Sequence, residues 1–396
     1  MLSVPNKLIP PGMKAVHIGK PFQSTTIEEL KDLSATKVFV LANRSSAKFI
    51  EGEGKLLDEL QKMDALAAPL CTSIGMGGGE AVSGLLEACD KAFESGADCL
   101  VTIGGGAVQD AGKLIRLWLS AASSGDKASV KGIQEASGRD PMPELPPQIA
   151  IPNSFAMAEA THVAGITTAA KTKSGAAHPC LMPTLIIYEA TLSEGLPDWV
   201  RFGTAFRGVE HACGAITHPK ANEDIREQAL EGLTILNENL KKLIKNPECK
   251  DTQHQMYLGG FIAIRALNTG CYPALGHLIE NHYSARFDVH QGSCSGIMCA
   301  RMMRYHQSAS KVYQERISAA LGDTYTPAPQ LVRDLAATLP GVSKNHADAG
   351  VTDDMLREFS KWEFENHIDR INQLSPKELK SSDDIHGMLS APLESL

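Results

Sequence analysis

Short apolar runs alternate with amphipathic stretches in the first half of the chain. The apolar runs predict strands at Lys37–Ala42, Ala67–Ser73, Asp98–Ile103, Gln148–Pro152, Val163–Thr168 and Leu185–Tyr188. A helical period of apolar positions predicts helices at Lys55–Met63 and Glu80–Ser95. Because strand and helix alternate, we expect a parallel sheet with crossover helices, which binds ligands at the carboxyl ends of its strands.

Long helical patterns fill the second half of the chain, from Asp198 onward. They predict helices at Asn222–Lys245, Gly259–Thr269, Ala274–Asn281, Ser293–His306, Lys311–Ala320, Pro329–Leu339 and Thr352–Glu363. The pattern changes around Leu192–Pro197. We therefore predict an α/β domain at residues 1–191 and an all-α domain at residues 192–396.

Three consecutive glycines, Gly104, Gly105 and Gly106, separate a predicted strand from a predicted helix within Leu100–Leu117. Without Cβ atoms the backbone there can approach a bulky anion, and the amides of a helix N-terminus bind phosphate groups. Asp110 and Lys113 follow on the new helix. A glycine-rich turn without a ligand is the alternative, since short glycine motifs occur often by chance.

Polar residues follow two other predicted strands. Asn43 and then Arg44 stand where a nucleotide-binding sheet often carries an acid for the ribose, which favours tolerance of NADPH as well as NADH, and a plain loop without a ligand is the alternative. Asn153 and Ser154 are suited to contacts with a phosphate or a nicotinamide amide. A second glycine cluster at residues 75–79 is interpreted as a loop, with a ligand role left open.

The composition narrows the function classes. A chain of 396 residues favours two domains. Its 38 basic and 46 acidic residues give a net charge of −8 without a basic run, which argues against a nucleic-acid partner. Because no segment has the apolar length of a signal peptide or a membrane span, we expect a soluble, cytoplasmic protein with no membrane partner. The nine cysteines form no C-x-x-C pair, so neither a disulfide framework nor a zinc knuckle is predicted.

Histidines stand out in the helical half at positions 211, 277, 282 and 290. Three converging imidazoles could hold a divalent cation that polarises a carbonyl, or one of them could donate a proton. A histidine that only packs in a helix is the alternative at each position.

Several motifs together resemble the iron-containing (group III) alcohol dehydrogenase family, with most similarity to its maleylacetate reductase branch. The matching stretches are Gly104–Lys113 against GGGSxxDxAK, Ile151–Ser154 with Glu159 against PTT and an acid, Pro183–Pro197, His277–Gly292 and Ser375–Leu389. The resemblance implies a dehydroquinate synthase-like architecture: an α/β dinucleotide domain, an all-helical domain, and an active site between them. It also implies NAD(P)H as cofactor and a homodimer.

The resemblance assigns roles residue by residue. It implies that the residues in contact with the cofactor include Gly104, Gly105, Gly106, Asn153 and Ser154. Asp110 and Lys113 are expected to support the glycine turn, and Asn43 is a further candidate contact from its position after a predicted strand. The resemblance implies that the metal-ligand histidines are His211, His277 and His290. Asn281 falls where the family often has a further active-site histidine, and its neighbour His282 is expected to face outward.

The departures from the family pattern concern the metal. Arg207 stands where the family has its metal carboxylate, and a guanidinium cannot be a ligand. Glu210 is adjacent to His211 and points about 100° around the helix, so we expect it to substitute poorly. Gly214 replaces a family glutamate, and the segment from His277 to His290 is one residue short. These departures argue against tightly held iron or zinc, although three histidines alone can make a site.

The leading hypothesis is an NAD(P)H-dependent oxidoreductase that reduces a small carbonyl or an enol or keto acid. Arg207 would bind a substrate carboxylate or polarise a carbonyl, so the small-molecule substrate is expected to be acidic. One alternative is a non-redox lyase, isomerase or cyclase on the same scaffold. Another is a catalytically inactive binding or assembly protein.

Overall fold

A computed structural model describes residues 2–73, 78–140, 142, 144–168 and 173–393. The chain forms two compact units, Met1–Glu194 and Gly195–Leu396, which divide within the segment where the hydrophobic pattern changes. Residues 75–77 of the second glycine cluster lie outside the described residues. Among the residues described, no helix is long and apolar enough to cross a membrane.

The first unit alternates strands and helices. Its strands are β1 Leu2–Ser3, β2 Ala15–Ile18, β3 Val38–Ala42, β4 Cys99–Gly104, β5 Gln148–Pro152, β6 Val163–Thr167, β7 Lys173–Ala177 and β8 Leu185–Tyr188. Its α-helices are α1 Phe22–Asp32, α2 Arg44–Ile50, α3 Leu56–Lys62, α4 Gly78–Glu94, α5 Gly106–Leu119 and α6 Val130–Ser137.

Six strands form one sheet in the order β1-β2-β8-β5-β4-β3, parallel except for the β1–β2 pair. Side chains of a strand alternate between faces, and in β3 Phe39 and Leu41 belong to one apolar cluster while Val38 and Val40 belong to another. Helices cover both faces, since residues of α4, α5 and α6 join the first cluster and residues of α1 and α3 join the second. This burial on both faces explains the uninterrupted apolar runs in the sequence.

Two predicted strands differ in the structure. The segment Ala67–Ser73 makes one isolated bridge to β3, at Cys71, and a second bridge lies just before it at Leu66, because Pro69 has no amide hydrogen to continue a ladder. The run Val163–Thr168 does form a strand, β6, but it pairs with β7 in a separate antiparallel ribbon instead of joining the main sheet.

Lys113 ties the chain after β5 to helix α5. Its side chain is 0% exposed, and Nζ donates hydrogen bonds to the carbonyl oxygens of Ala158 (2.6 Å) and Val163 (2.7 Å). Asp110, one turn earlier on α5, accepts a hydrogen bond from the amide of Gly165 (3.1 Å). The two side chains thus position the loop between β5 and β6.

The second unit is helical, as the periodicity predicts. Its α-helices are α7 Asp198–Thr217, α8 Glu223–Lys245, α9 Lys250–Asn268, α10 Leu275–Phe287, α11 Gln291–Tyr305, α12 Lys311–Ala320, α13 Ala328–Ala337, α14 Asp353–Leu374 and α15 Ser382–Leu389. Helices α9 and α14 are longer than their apolar patterns indicate, because α9 starts at Lys250 and α14 continues to Leu374.

Helix α7 lies at the centre of this unit, where glycines bring its neighbours close. A Cβ atom on Gly292 of α11 would lie 2.4 Å from the carbonyl carbon of Gly203. A Cβ atom on Gly208 would lie 2.9 Å from a methyl group of Leu236 on α8. Only glycine allows these close crossings, so the residues on the inner face of α7 come within reach of α10 and α11.

Replacing Lys113 with methionine tests its structural role. The variant removes the charged donor of the carbonyls of Ala158 and Val163, which keep the hydroxyl of Thr161 at 3.0 Å, so we expect a loss of about 1.5–3 kcal/mol in the free energy of unfolding. Urea titration followed by circular dichroism measures this loss. Lys91→Met, on an exposed lysine, is the control and should leave the transition unchanged. Equal transitions for both variants would contradict the role given to Lys113.

Candidate functional site

The glycine turn of the first unit joins the carboxyl end of β4 to the start of α5. A Cβ atom on Gly104 would lie 2.8 Å from Oδ1 of Asn43 and 2.9 Å from Cγ2 of Val108, so only glycine fits there. Gly105 is the N-cap of α5, and no side chain caps the helix. Gly105 and Gly106 are half-buried and Ala107 is exposed, so the first amides of the helix can be reached by an anion.

A network of polar side chains borders this turn. Asn43, after β3, accepts a hydrogen bond from Oγ of Ser46 (2.6 Å), and Nδ2 of Asn153, after β5, donates to the same Ser46 (3.1 Å). A Cβ atom on Gly105 would lie 3.6 Å from Oγ of Ser154. The structure therefore brings Asn43, Asn153 and Ser154 to the glycine turn, as the order of the parallel strands requires.

A dinucleotide cofactor fits this edge of the sheet. The uncapped helix start supplies amide donors, the glycines leave room for a pyrophosphate, and the amides and hydroxyl beside them can bind its polar groups. Lys113 does not take part, because its ammonium group is fully buried and bonded to the loop after β5. The hydrogen bonds of Asp110 and Lys113 go to residues 158–165, and this loop borders the turn, since a Cβ atom on Gly106 would lie 3.4 Å from Cβ of Ala158.

Glu159 is a buried acid in that loop. Its side chain is 1% exposed, and Oε1 accepts a hydrogen bond from the hydroxyl of Tyr188 (2.9 Å). Burial raises the pKa of Glu159 to about 7, against the lowering effect of the hydrogen bond and of the nearby Lys113 charge. The sequence contained Glu159 as part of a motif but gave no sign that its carboxyl group is buried.

Helices α7, α10 and α11 form a second polar centre in the helical unit. We call it the buried polar cluster; its members are Arg207, Glu210, His211, His277 and Glu280, each no more than 7% exposed. Arg207 donates through Nη1 to Oε1 of Gln291 (2.7 Å) and through Nη2 to Nδ1 of His277 (3.3 Å). The rings of His211 and His277 lie 5.3 Å apart.

The contacts of His277 fix its protonation. A guanidinium only donates hydrogen bonds, so Nδ1 of His277 accepts and the proton of the neutral ring is on Nε2. That Nε2 lies 2.8 Å from the hydroxyl oxygen of Tyr272 and donates to it. Tyr272 was not found by sequence reasoning, because nothing in its local pattern distinguishes it from a packing residue.

Glu210 lies closer to the histidines than its position in the sequence suggests. Its Oε2 is 3.8 Å from Nε2 of His211, and one ligand atom each of Glu210, His211 and His277 lie within 4.8 Å of one another. The expectation that Glu210 points away is wrong for its carboxyl group. Gly276 provides the space, since a Cβ atom there would lie 2.6 Å from Oε1 of Glu210.

The remaining predicted residues lie around this cluster. His290 precedes α11 with its ring 4.8 Å from that of Trp199, and it is not part of the group formed by Glu210, His211 and His277. Asn281 accepts a short hydrogen bond from Nε2 of Gln291, which links it to Arg207. His282 does not face outward, because it packs against α14, where Nδ1 lies 2.8 Å from Oε1 of Glu363.

Burial dominates the electrostatics of the cluster. It raises the pKa values of Glu210 and Glu280, and the charge of Glu210 raises that of Glu280 further, whereas Arg207 opposes both shifts. Burial and the Arg207 charge lower the pKa of His211 well below its usual range and that of His290 to about 4. Arg207 therefore carries the positive charge at neutral pH, whereas the imidazoles of His211 and His290 are neutral.

Several polar atoms of the cluster have no hydrogen-bond partner among the described residues. They are Nε of Arg207, Oε2 of Glu210, both ring nitrogens of His211 and Oε1 of Glu280. Buried polar atoms are nearly always paired, so these atoms are available to pair with water or with a polar ligand.

A divalent metal does not fit this donor set. The lone pair of Nδ1 of His277 is occupied by the Arg207 hydrogen bond, and its other nitrogen carries a proton. The guanidinium charge adjacent to the ring opposes a cation, and His290 does not complete the set. An anionic group next to Arg207 agrees better with these contacts.

Comparison with known families and proteins gives a consistent result. Residues 14–190 match the description "Iron-containing alcohol dehydrogenase", and residues 204–392 match "Fe-containing alcohol dehydrogenase family, C-terminal". The chain is 24% identical over 247 residues to Maleylacetate reductase 1 of Rhodococcus opacus, covering 62% of this chain and 61% of that protein. It is 24% identical over 289 residues to NAD-dependent methanol dehydrogenase of Bacillus methanolicus, covering 71% and 74%.

Solved structures share the fold. NADH-dependent butanol dehydrogenase A from Thermotoga maritima has a TM-score of 0.80 at 18% identity, covering 96% of both chains. Maleylacetate reductase from Rhizobium sp. strain MTP-10005 has a TM-score of 0.74 at 20% identity, covering 95% of both chains. The predicted α/β and helical architecture and the family resemblance are thereby confirmed. The chain spans 61% of the length of the Rhodococcus relative, so activity does not transfer directly.

The pKa of Glu159 predicts a pH-dependent loss of stability. Between the ordinary value of 4.5 and the folded value of about 7, the unfolded state ionises while the folded state keeps its proton. The free energy of unfolding should therefore fall as pH rises through that window, by on the order of 3 kcal/mol for this group.

Glu159→Gln removes this titration while keeping an acceptor for Tyr188. Urea unfolding at pH 5 and pH 8 should show a smaller loss of stability for the variant than for the wild type. Glu365→Gln, on an exposed residue, is the control and should follow the wild type. Parallel pH dependence of wild type and Glu159→Gln would refute the assignment.

Proposed function

Because the chain belongs to the iron-containing alcohol dehydrogenase family, we propose that it is an NAD(P)H-dependent oxidoreductase that reduces a small carbonyl or an enol or keto acid. The observation that carries the proposal is the uncapped glycine turn between β4 and α5, bordered by Asn43, Asn153 and Ser154. A nicotinamide cofactor held there supplies the hydride. Asn43 in place of an acid supports the use of NADPH as well as NADH.

Arg207 is the proposed binding residue for an acidic substrate. Its guanidinium is 5% exposed and held by Gln291 and His277, and Nε has no hydrogen-bond partner among the described residues. A planar guanidinium with donors to spare binds a carboxylate strongly when little water competes. Among the relatives, the name maleylacetate reductase describes enzymes with a dicarboxylic substrate, which agrees with this role.

His277 and Tyr272 are the proposed proton source. When a hydride adds to a carbonyl carbon, the electron pair of the C=O bond moves to the oxygen, which then takes a proton. A hydrogen bond of 2.8 Å links Nε2 of His277 to the hydroxyl of Tyr272, and each of these two groups carries an exchangeable proton. Arg207 holds the imidazole in the tautomer that keeps a proton on Nε2. We further propose a homodimer, on the family resemblance.

Cofactor binding and turnover test the redox proposal. NADPH and NADH should each be titrated while their fluorescence is followed, and each should then be supplied with maleylacetate and with a neutral aldehyde. We expect binding, and oxidation of the cofactor with the acidic substrate. Gly104→Ala should weaken cofactor binding because its Cβ meets Asn43 and Val108, whereas Gly138→Ala, with no contact closer than 3.7 Å, should not.

The outcomes of this test separate the alternatives. Binding without oxidation of the cofactor on any carbonyl would favour the non-redox lyase, isomerase or cyclase. Absence of binding would contradict the cofactor site and favour a binding or assembly protein.

The role of Arg207 is tested by Arg207→Met and Arg207→Lys. Loss of a charged hydrogen bond costs about 1.5–3 kcal/mol, so KM for an acidic substrate should rise about 10- to 100-fold in the methionine variant, with KM for cofactor unchanged. Arg207→Lys should recover part of the loss because it keeps the charge. Exposed Arg357→Met serves as the control. An unchanged KM for the acidic substrate in Arg207→Met would reject the proposal.

A further inference from the structure

A second group of potential ligands lies outside the buried polar cluster, where α10 meets α14. It consists of His282 on α10 and of Glu363 and His367 on α14, and we call it the α10–α14 cluster. Glu363 and His367 are four residues apart, so they share one face of the helix. Nδ1 of His282 lies 2.8 Å from Oε1 of Glu363, and the rings of His282 and His367 are 4.4 Å apart.

The carboxyl group of Glu363 is only partly satisfied. Its side chain is 0% exposed, yet Oε2 has no hydrogen-bond partner among the described residues, since His282 contacts only Oε1. A buried carboxylate with an unpaired oxygen is costly unless a cation or a donor compensates it. The unpaired oxygen is therefore available to bind a cation next to the two imidazoles.

The geometry suits a small divalent cation. One ligand atom from each of the three residues lies within 4.8 Å of the others, so small rotations bring all three to the bond lengths of about 2.0–2.2 Å that zinc requires. The side chain of His282 is 16% exposed, so the cluster lies near enough to solvent for a metal ion to enter. Two imidazoles and one carboxylate form a donor set that zinc commonly uses.

The surroundings differ from those of the buried polar cluster. His282 is the partner of Glu363, and no lysine or arginine among the described residues donates a hydrogen bond to His282, Glu363 or His367, in contrast to Arg207 at His277. The two helices are held by packing of Tyr283 against Phe359, whose rings are 5.7 Å apart. Ligands on rigid, well-packed helices need little reorganisation to bind a metal.

We propose that His282, Glu363 and His367 bind a divalent metal ion of the zinc class, which clamps α10 to α14. Helix α10 also carries His277, so the metal would stabilise the helix that presents this residue to Arg207. The site is independent of the proposed function and of any metal at the buried polar cluster.

The test uses the full chain, stripped of metal with a chelator and dialysed, and zinc chloride as the probe. We expect one zinc ion per chain by isothermal titration calorimetry, and a rise in Tm on addition of zinc. Cobalt(II) should quench the fluorescence of Trp362, whose ring lies 4.8 Å from that of His367 and 5.5 Å from that of His282.

The variants Glu363→Gln and His367→Gln each remove one ligand, and zinc affinity should fall by at least about tenfold in both. Because His367 is half-exposed, we expect His367→Gln to fold even if Glu363→Gln does not. His386→Gln is the matched control, because His386 forms a similar pair with Asp353 at 2.8 Å but belongs to no group of three potential ligands among the described residues.

His211→Gln separates this site from the buried polar cluster and should keep the wild-type zinc affinity. Equal zinc affinity of wild type and His367→Gln would overturn the proposal. Loss of binding in His211→Gln, with binding kept in His367→Gln, would also overturn it and would locate the metal at the other cluster.

Discussion

In the helical unit a permanently charged guanidinium lies where two histidines and a glutamate converge, and its hydrogen bond to Nδ1 of His277 decides which donor atoms remain. With that lone pair occupied, His277 keeps its proton on Nε2 and shares it with Tyr272. The same charge lowers the pKa values of His211 and His290 and opposes the rise in those of the two buried carboxyl groups. In the proposed function, Arg207 provides the positive charge that a metal ion would otherwise provide.

Packing makes this arrangement possible. Gly203 and Gly292 let α7 and α11 approach closely, which brings Gln291 within hydrogen-bond distance of Arg207. Gly276 leaves space for the carboxyl group of Glu210. In the first unit, Gly104 plays the corresponding part by allowing Asn43 to lie over the turn that begins α5. In both units a glycine leaves the space that a neighbouring polar side chain occupies, and a larger residue at the glycine position would displace that side chain.

Much of the fold follows from the hydrophobic pattern, because β3, β4 and β5 are buried on both faces and most helices have an apolar face. The glycine turn and its partners Asn43, Asn153 and Ser154 were also predictable, since parallel strands end at one edge of the sheet. The contacts of Lys113, Glu210 and Tyr272 were not predictable from the sequence. Each depends on where a long side chain ends after neighbouring segments pack, and residue spacing along one helix does not determine that. The pairing of His282 with Glu363 was missed for the same reason, as the two residues are 81 positions apart.

We propose that Arg207, and not a metal ion, supplies the positive charge of the buried polar cluster. We would measure the rate of NADPH-dependent reduction of maleylacetate by the full chain carrying His367→Gln, which lacks the metal site proposed between α10 and α14, before and after exhaustive treatment with a chelator. We expect an unchanged rate, because no step depends on a metal at Glu210, His211 and His277. Loss of the rate on chelation, with recovery on addition of iron(II) or zinc, would contradict this proposal.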